Sequence, residues 1–362
     1  MRTRFDEITA ASAQEAPVLM SFRRTALAVA GLLVGGLAVA APASAQPAPT
    51  AGCGVTDLMI KASTYWVATD TDQAANNWSN ALFHVGNLAQ VRTTGISNHK
   101  TWPWTEANRW LLPTDATHPF AADPQASGEA YLDVWYFHQE NRVLDPLRAN
   151  LAAEAASVAE GHTRYWTTPD ALAMSLPSFT RVGVMDSNQA LLDASRALFR
   201  DARRRLFSDL TGLWLGNAQA NGFAVSGLAK AVLALPADSP PRAEYARTLR
   251  RSAETLRWLQ RPDGFWNAEL LFGGKESSST ALITYALAAG INAGVLDQAA
   301  YLPVVAKGWQ ALTTSALQDS GRLGYVQARG SHRPAGVDDS AAFAVGAYLT
   351  AGQQVAALTP GC

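Results

Sequence analysis

The sequence predicts an all-α protein, a closed barrel of six helical hairpins in a single domain, and three observations carry that prediction. From Asp57 onward, apolar residues recur at three- and four-residue spacing with almost no sustained two-residue alternation, which is the period of helices. About twelve such stretches follow one another, joined by short breaks. No long Pro- or Gly-rich linker divides them, so residues 46–362 read as one domain. A helical hairpin cannot bury its apolar face alone, so repeated hairpins must stack into a solenoid or close into a ring. Six of them close as an (α/α)6 barrel, with alternate helices inside and the loops of one end forming a concave site.

In chain order, the periodicity predicts helices over 56–67, 78–93, 101–112, 126–141, 144–159, 169–182, 187–205, 221–235, 240–259, 277–290, 297–315 and 338–356. Turn chemistry supplies the breaks. Asp123-Pro124 precedes the fourth helix, Asp145-Pro146 opens the fifth, and Pro236 to Pro241 leads into the ninth. Arg261-Pro-Asp-Gly264 and Asp319-Ser-Gly321 interrupt the chain further on, each combining residues that favour turns. At the sixth helix, Thr168 suits an N-cap and Pro169 the first helical position.

Composition excludes several classes of function. The chain has 16% charged and 48% hydrophobic residues, and Lys plus Arg (29) balances Asp plus Glu (30). It therefore folds as a globule and lacks the positive field that nucleic acid or an anionic membrane would require. The six histidines, His84, His99, His118, His138, His162 and His332, show no paired ligand spacing, so neither a metal nor another cofactor is expected. Gly273-Gly-Lys275 is followed by Glu276 and preceded by no strand, which rules out a phosphate loop. No Gly-x-Ser-x-Gly elbow is present.

The N-terminal region reads as targeting. An apolar run from Thr25 to Ala41 follows Arg23-Arg24 and precedes Ala43-Ser-Ala45, the order of a signal peptide's three regions. Residues 1–45 are therefore expected to be an extension and signal, with Met20 a plausible start, cleavage after Ala45, and a secreted or periplasmic product without stable membrane association. In such a compartment Cys53 and Cys362 are expected to pair. The chain also holds 11 Trp. Each is a candidate core filler, and those at a barrel mouth are candidate platforms for sugar rings.

Several segments together resemble glycoside hydrolase families 88 and 105. They are Asn77-Trp-Ser-Asn-Ala-Leu-Phe-His-Val-Gly86, Tyr165-Trp-Thr-Thr-Pro-Asp-Ala-Leu-Ala-Met174, Asp263-Gly-Phe-Trp266, the run from Gly274 to Asn292, Gly321 to Gln327, and Asp338 to Ala351. The resemblance implies an (α/α)6 barrel that takes an oligosaccharide bearing a 4,5-unsaturated uronic acid at its non-reducing end. It implies hydration of the double bond, with an Asp protonating C4 and activating water for attack at C5. That Asp falls at Asp170, and Asp123 falls at the partner carboxylate. An acid that must then act as a base needs a pKa raised towards working pH. Trp166, Glu276 and His84 are candidates to line the sugar site; Trp166 is equally a candidate core residue, Glu276 equally a carboxylate in the first turn of a helix, and His84, along an early inner helix, reads more readily as a structural imidazole.

The pattern fails at one place. Family 105 enzymes carry a Trp-Ala-Arg-Gly-Asn-Gly-Trp type segment that holds the sugar and its carboxylate. The corresponding run here is Asn217-Ala-Gln-Ala-Asn-Gly-Phe223, so Asn217, Gln219 and Phe223 stand as the candidate substrate-binding residues. Gln219 can hydrogen-bond a carboxylate but loses the bidentate charged pairing of Arg. Two other readings stay open on the sequence. One is a different (α/α)6 enzyme, either a polysaccharide lyase or an inverting glycosidase with two separated carboxylates. The other is a sugar-binding barrel without turnover.

Overall fold

The computed structural model describes residues 54–359 apart from Gln73 and Thr114. Cys53, Cys362 and the signal-peptide region lie outside the described residues. The helices are α1 (Val55–Thr69), α2 (Trp78–Thr94), α3 (Thr101–Ala107), α4 (Ala122–His138), α5 (Asp145–Ala159), α6 (Ala171–Met174), α7 (Leu176–Met185), α8 (Gln189–Leu206), α9 (Ala218–Ala234), α10 (Pro240–Trp258), α11 (Ser277–Asn292), α12 (Gln298–Ala311) and α13 (Ala342–Leu358). A 3-10 turn precedes α5 and a π turn extends α12 over Leu312–Ala316.

Burial sorts these helices into two layers. Nearly every residue of α11 is buried, as are most of those of α9 and α13, and α2, α4 and α6–α7 are buried on most sides. Helices apolar on all faces belong in an interior. In α8 and α10, by contrast, arginines cover one face and aliphatic residues the other. The inner helices touch in a closed cycle, α2 on α4, α4 on α6, α6 on α9, α9 on α11, α11 on α13 and α13 back on α2. The outer helices α1, α3, α5, α8, α10 and α12 lean on that ring, so the (α/α)6 barrel is the observed fold.

Two close approaches set its circumference. A Cβ placed on Gly86 would lie 2.3 Å from the Gly346 carbonyl oxygen, and one on Gly346 would lie 2.1 Å from the Leu82 oxygen. Only glycine lets α2 and α13 meet backbone to backbone, and that seam closes the ring.

Several boundaries differ from the sequence expectation. The segment expected as one helix over 169–182 is α6 and α7, broken at Ser175. Pro177 has no N–H to give the Ala173 carbonyl, and the Ser175 hydroxyl instead donates to the Gln125 side chain. Helix α3 stops at Ala107 because Arg109 and Trp110 turn left-handed, with φ of 53° and 58°. Helix α4 starts at Ala122, ahead of the Asp123-Pro124 expected as a break, since a proline in the first turn loses no helical bond. Helix α9 likewise starts three residues early, whereas α13 starts four residues late. Two short antiparallel hairpins were not foreseen: β1 (Phe207–Ser208) with β2 (Leu213–Trp214), and β3 (Trp266–Asn267) with β4 (Lys275–Glu276).

The two ends of the barrel differ. Towards the C-terminal ends of the inner helices, Lys230 pairs with Glu129 at 2.8 Å, while Arg92 and Arg181 pair with Asp133 at 3.1 and 2.8 Å. Cations there complement the helix dipoles. The N-terminal ends open into a cleft of about 490 Å³ lined by Asp123, Arg164, Tyr165, Thr168, Ala171 and Arg329, among others. No helix of the described residues is long and apolar enough to cross a membrane.

Candidate active site

Asp170 sits immediately before α6 and is 8% exposed. Asp123 is in the first turn of α4. The fold brings these two expected acids to one place, and Arg329 ties them together. One guanidinium nitrogen lies 2.8 Å from Asp123 Oδ2 and the other 2.7 Å from Asp170 Oδ2. The Arg329 Cζ also lies 4.9 Å from the ring centre of the half-buried Trp78, within cation–π range. Burial pushes the Asp170 carboxyl above its ordinary range, the Arg329 charge pulls it down, and the Asp123 carboxylate pushes it up again; the net direction is upward.

Arg329 escaped the sequence analysis because it lies in Ala328-Arg-Gly330, just past the last residue of the resembling Gly321–Gln327 segment. Its signal is visible only in three dimensions. Gln219 and Glu276 hold it there. The buried Gln219 amide donates to the Gln327 carbonyl at 2.6 Å and to Ser278 Oγ at 3.0 Å. Glu276, fully buried, accepts from the Gln327 N–H at 3.0 Å and caps α11 by accepting from the Ser278 and Ser279 N–H groups. Both side chains fasten the segment that carries Arg329.

Three other expected site residues lie in the core. Trp166 is 0% exposed, and its indole meets Phe179 edge-on. It has no face open to a ligand because the chain before α6 turns it inward. Phe223 is buried between Trp78 and Phe343, and so supports the Trp78 ring from behind. Buried His84 stacks on Trp104 at 4.2 Å, its Nδ1 3.1 Å from Thr101 Oγ1. Burial pushes its pKa down to about 3, so it is neutral and structural. Asn217 is the N-cap of α9, accepting from the Ala220 N–H at 3.1 Å. The aromatic residues lining the cleft are Phe120 and Tyr165, and of the Trp candidates Trp78 lies beside the Arg329 guanidinium. Among the described residues, no three His, Cys, Asp or Glu side chains converge as a metal site.

A helical-hairpin barrel with two carboxyls converging in a cleft at one end has the layout of a glycoside hydrolase. The sequence profile of glycosyl hydrolase family 88 matches residues 54–219 and 216–358. The chain belongs to that family.

Among curated relatives, it is 31% identical over 328 residues to an unsaturated 3S-rhamnoglycuronyl hydrolase of Formosa agariphila, covering 78% of this chain and 85% of that one. It is 26% identical over 323 residues to a protein of the same name from Alteromonas sp. strain LOR, covering 78% of each. A solved structure described as a polysaccharide lyase superimposes with a TM-score of 0.79 at 25% identity, over 85% of this chain and 98% of the other.

Proposed function

We propose that the protein removes a 4,5-unsaturated uronic acid from the non-reducing end of lyase-generated oligosaccharides, with Asp170 as the acid and base. The observation that carries this reading is a buried carboxyl, raised in pKa by its surroundings, beside a second carboxylate in an open cleft. In the protonated state Asp170 gives its proton to C4 of the C4=C5 vinyl ether, leaving a cation stabilised by the ring oxygen. Water then adds to C5 and returns a proton to Asp170. The resulting hemiketal opens at C5 and expels the neighbouring sugar, so one water is consumed and Asp170 is regenerated. Both curated relatives carry names that specify this class of substrate.

Those names also carry the term 3S-rhamnoglycuronyl, in which we read an anionic substituent on the leaving sugar. Arg164 lines the cleft as an exposed cation, and it is the residue we assign to an anionic leaving sugar. Export through the N-terminal signal belongs to the same proposal, on the charged, apolar and small-residue order of residues 23–45.

The test is to incubate protein starting at Gln46 with lyase-generated unsaturated disaccharides, sulfated and unsulfated, and follow the double-bond absorbance. The expected outcome is loss of absorbance with wild type and a fall of about 10²- to 10⁴-fold with Asp170→Asn, the usual contribution of a general acid–base. The lyase-like neighbour favours one other reading: a gain of absorbance on intact polysaccharide would establish a lyase and overturn this proposal.

A further inference from the structure

Arg329 stands where its charge is already spent. Its two nitrogens contact Asp123 and Asp170, its Cζ is stacked over Trp78, and its side chain is 31% exposed to the cleft. The position that supplies a carboxylate-binding Arg in the resembling family 105 segment is Gln219 here, and that Gln is buried and engaged with Gln327. The structure thus offers one guanidinium at the acid pair, delivered by the segment that Gln219 and Glu276 fasten.

On the functional reading above, we propose that Arg329 is the anchor for the substrate's carboxylate and also a latch on Asp170: the incoming carboxylate draws the guanidinium away from Asp170, and the catalytic acid is completed only in an occupied site. In the empty cleft the ion pair draws Asp170 towards the carboxylate, working against the burial and the Asp123 charge that raise it. When the substrate's carboxylate takes over the guanidinium, Asp170 keeps its buried surroundings and its neighbour Asp123 but loses its cation, and it takes one proton from solvent. That proton then goes to C4. Trp78, whose ring centre lies 4.9 Å from the Arg329 Cζ, remains beside the guanidinium, so the movement needed is a shift of the fork and not a rearrangement of the loop.

The titratable groups lining this cleft are Asp115, His118, Asp123, Arg164, Tyr165 and Arg329. Of these, Arg329 and Asp123 are the two that act on Asp170, and His118 is engaged with Asp115 at 3.2 Å. Arg329 is the one of the two that holds Asp170 down and that also contacts Asp123, so its variants report on a change in Asp170 on binding.

The experiment compares wild type, Arg329→Gln and Arg329→Lys on an unsaturated uronyl disaccharide and on its uronate methyl ester, with kcat and kcat/KM measured from pH 4 to 9. Circular dichroism and thermal unfolding confirm that each variant is folded; the side chain is partly exposed, so little stability should change. Wild type is expected to prefer the free acid by about 100-fold in kcat/KM, the scale of a charge-assisted pair. The alkaline limb of its kcat profile, which reports the occupied enzyme, is expected at least about one pH unit above that of kcat/KM, which reports the free enzyme. Arg329→Gln is expected to raise KM, reduce the acid-over-ester preference to about tenfold or less, and bring the two limbs together. Arg329→Lys should keep part of the preference, since it keeps the charge without the fork.

A merely structural Arg329 would lower activity on both substrates alike and leave the two limbs apart in the variant, which would overturn the inference while leaving the function intact. Coincident limbs in wild type would overturn the latch. No turnover of any unsaturated uronide by wild type would overturn the functional reading, and this inference with it.

Discussion

Single side chains in this barrel separate into those that face chemistry and those that face structure, and the surroundings of each acid decide which. Glu154 makes the contrast with Asp170. It is fully buried on the outer helix α5, touched by the Gln125 amide on one oxygen and by no donor on the other. Burial pushes its pKa up to about 7. The folded state therefore holds a proton on Glu154 that the unfolded chain releases near its ordinary 4.5. Stability from this group is full below that value and is lost as pH rises through about 7. A shift of this size is worth roughly 3 kcal/mol at about 1.4 per unit. Unfolding in urea at pH 5 and pH 8 should show wild type weaker at the higher pH, with Glu154→Gln removing most of that difference; an unchanged difference in the variant would refute the assignment. The same scale shows what the sequence could tell. Asp170 and Asp123 were legible because their motif and their turn lie in contiguous residues. Arg329 was not, because its role depends on contacts made across 159 and 206 residues of chain, and for Trp166 the choice between sugar platform and core residue stays open on the sequence because local sequence does not say which side of a turn an indole takes.

At the level of elements, the N-terminal ends of the inner helices carry the site, and how each helix starts matters more than how long it is. Asn217 caps α9, Glu276 caps α11, and Asp170 stands at the start of α6. Helix starts gather unpaired N–H groups and a partial positive charge, which suits an anionic substrate. Asn217 tests the division between cap and contact. Asn217→Ala is expected to cost about 0.5–2 kcal/mol in chemical unfolding, the usual worth of such a cap, while KM for an unsaturated disaccharide stays nearly the same. A large rise in KM with unchanged stability would return Asn217 to the sugar site. Helix existence was legible apart from the break at Ser175 that divides α6 from α7, since apolar periodicity over three or more turns is strong. Helix starts were not: proline in a first turn is compatible with both a break and a beginning, and α4 took the second option. The hairpins β1–β2 and β3–β4 are two residues per strand, too short for alternation to register.

For the whole molecule, the closed ring converts a local substitution at the seam into a global one. Gly346→Ala would put a methyl group about 2.1 Å from the Leu82 oxygen on α2, and neither backbone can withdraw without opening the cycle of inner helices. Overpacking of this kind ordinarily costs about 1–3 kcal/mol. The expected outcome is a loss of stability at or above the top of that range, seen as a lower urea midpoint. A midpoint unchanged from wild type would mean that the seam gives way easily. The ring itself was legible in the number of hairpins and the absence of a linker. The partners at the seam were not, because the two glycines lie far apart in sequence and each looks like an ordinary small residue in a helix.

The seam also sets a clock for synthesis. The Phe343 N–H donates to Ser79 Oγ, and the Gln353 side chain to the Ala89 carbonyl, each across 264 residues. A ribosome adding about 5–20 residues per second therefore finishes α2 tens of seconds before α13 emerges to cover it. During that interval an apolar helix face has no permanent neighbour, and the five earlier hairpins form an open arc with two raw edges. Arcs of this kind can mispair with one another, so the nascent chain needs protection until its final helix arrives, and a truncation that removes only α13 would leave a product prone to association through the same face that the complete ring conceals.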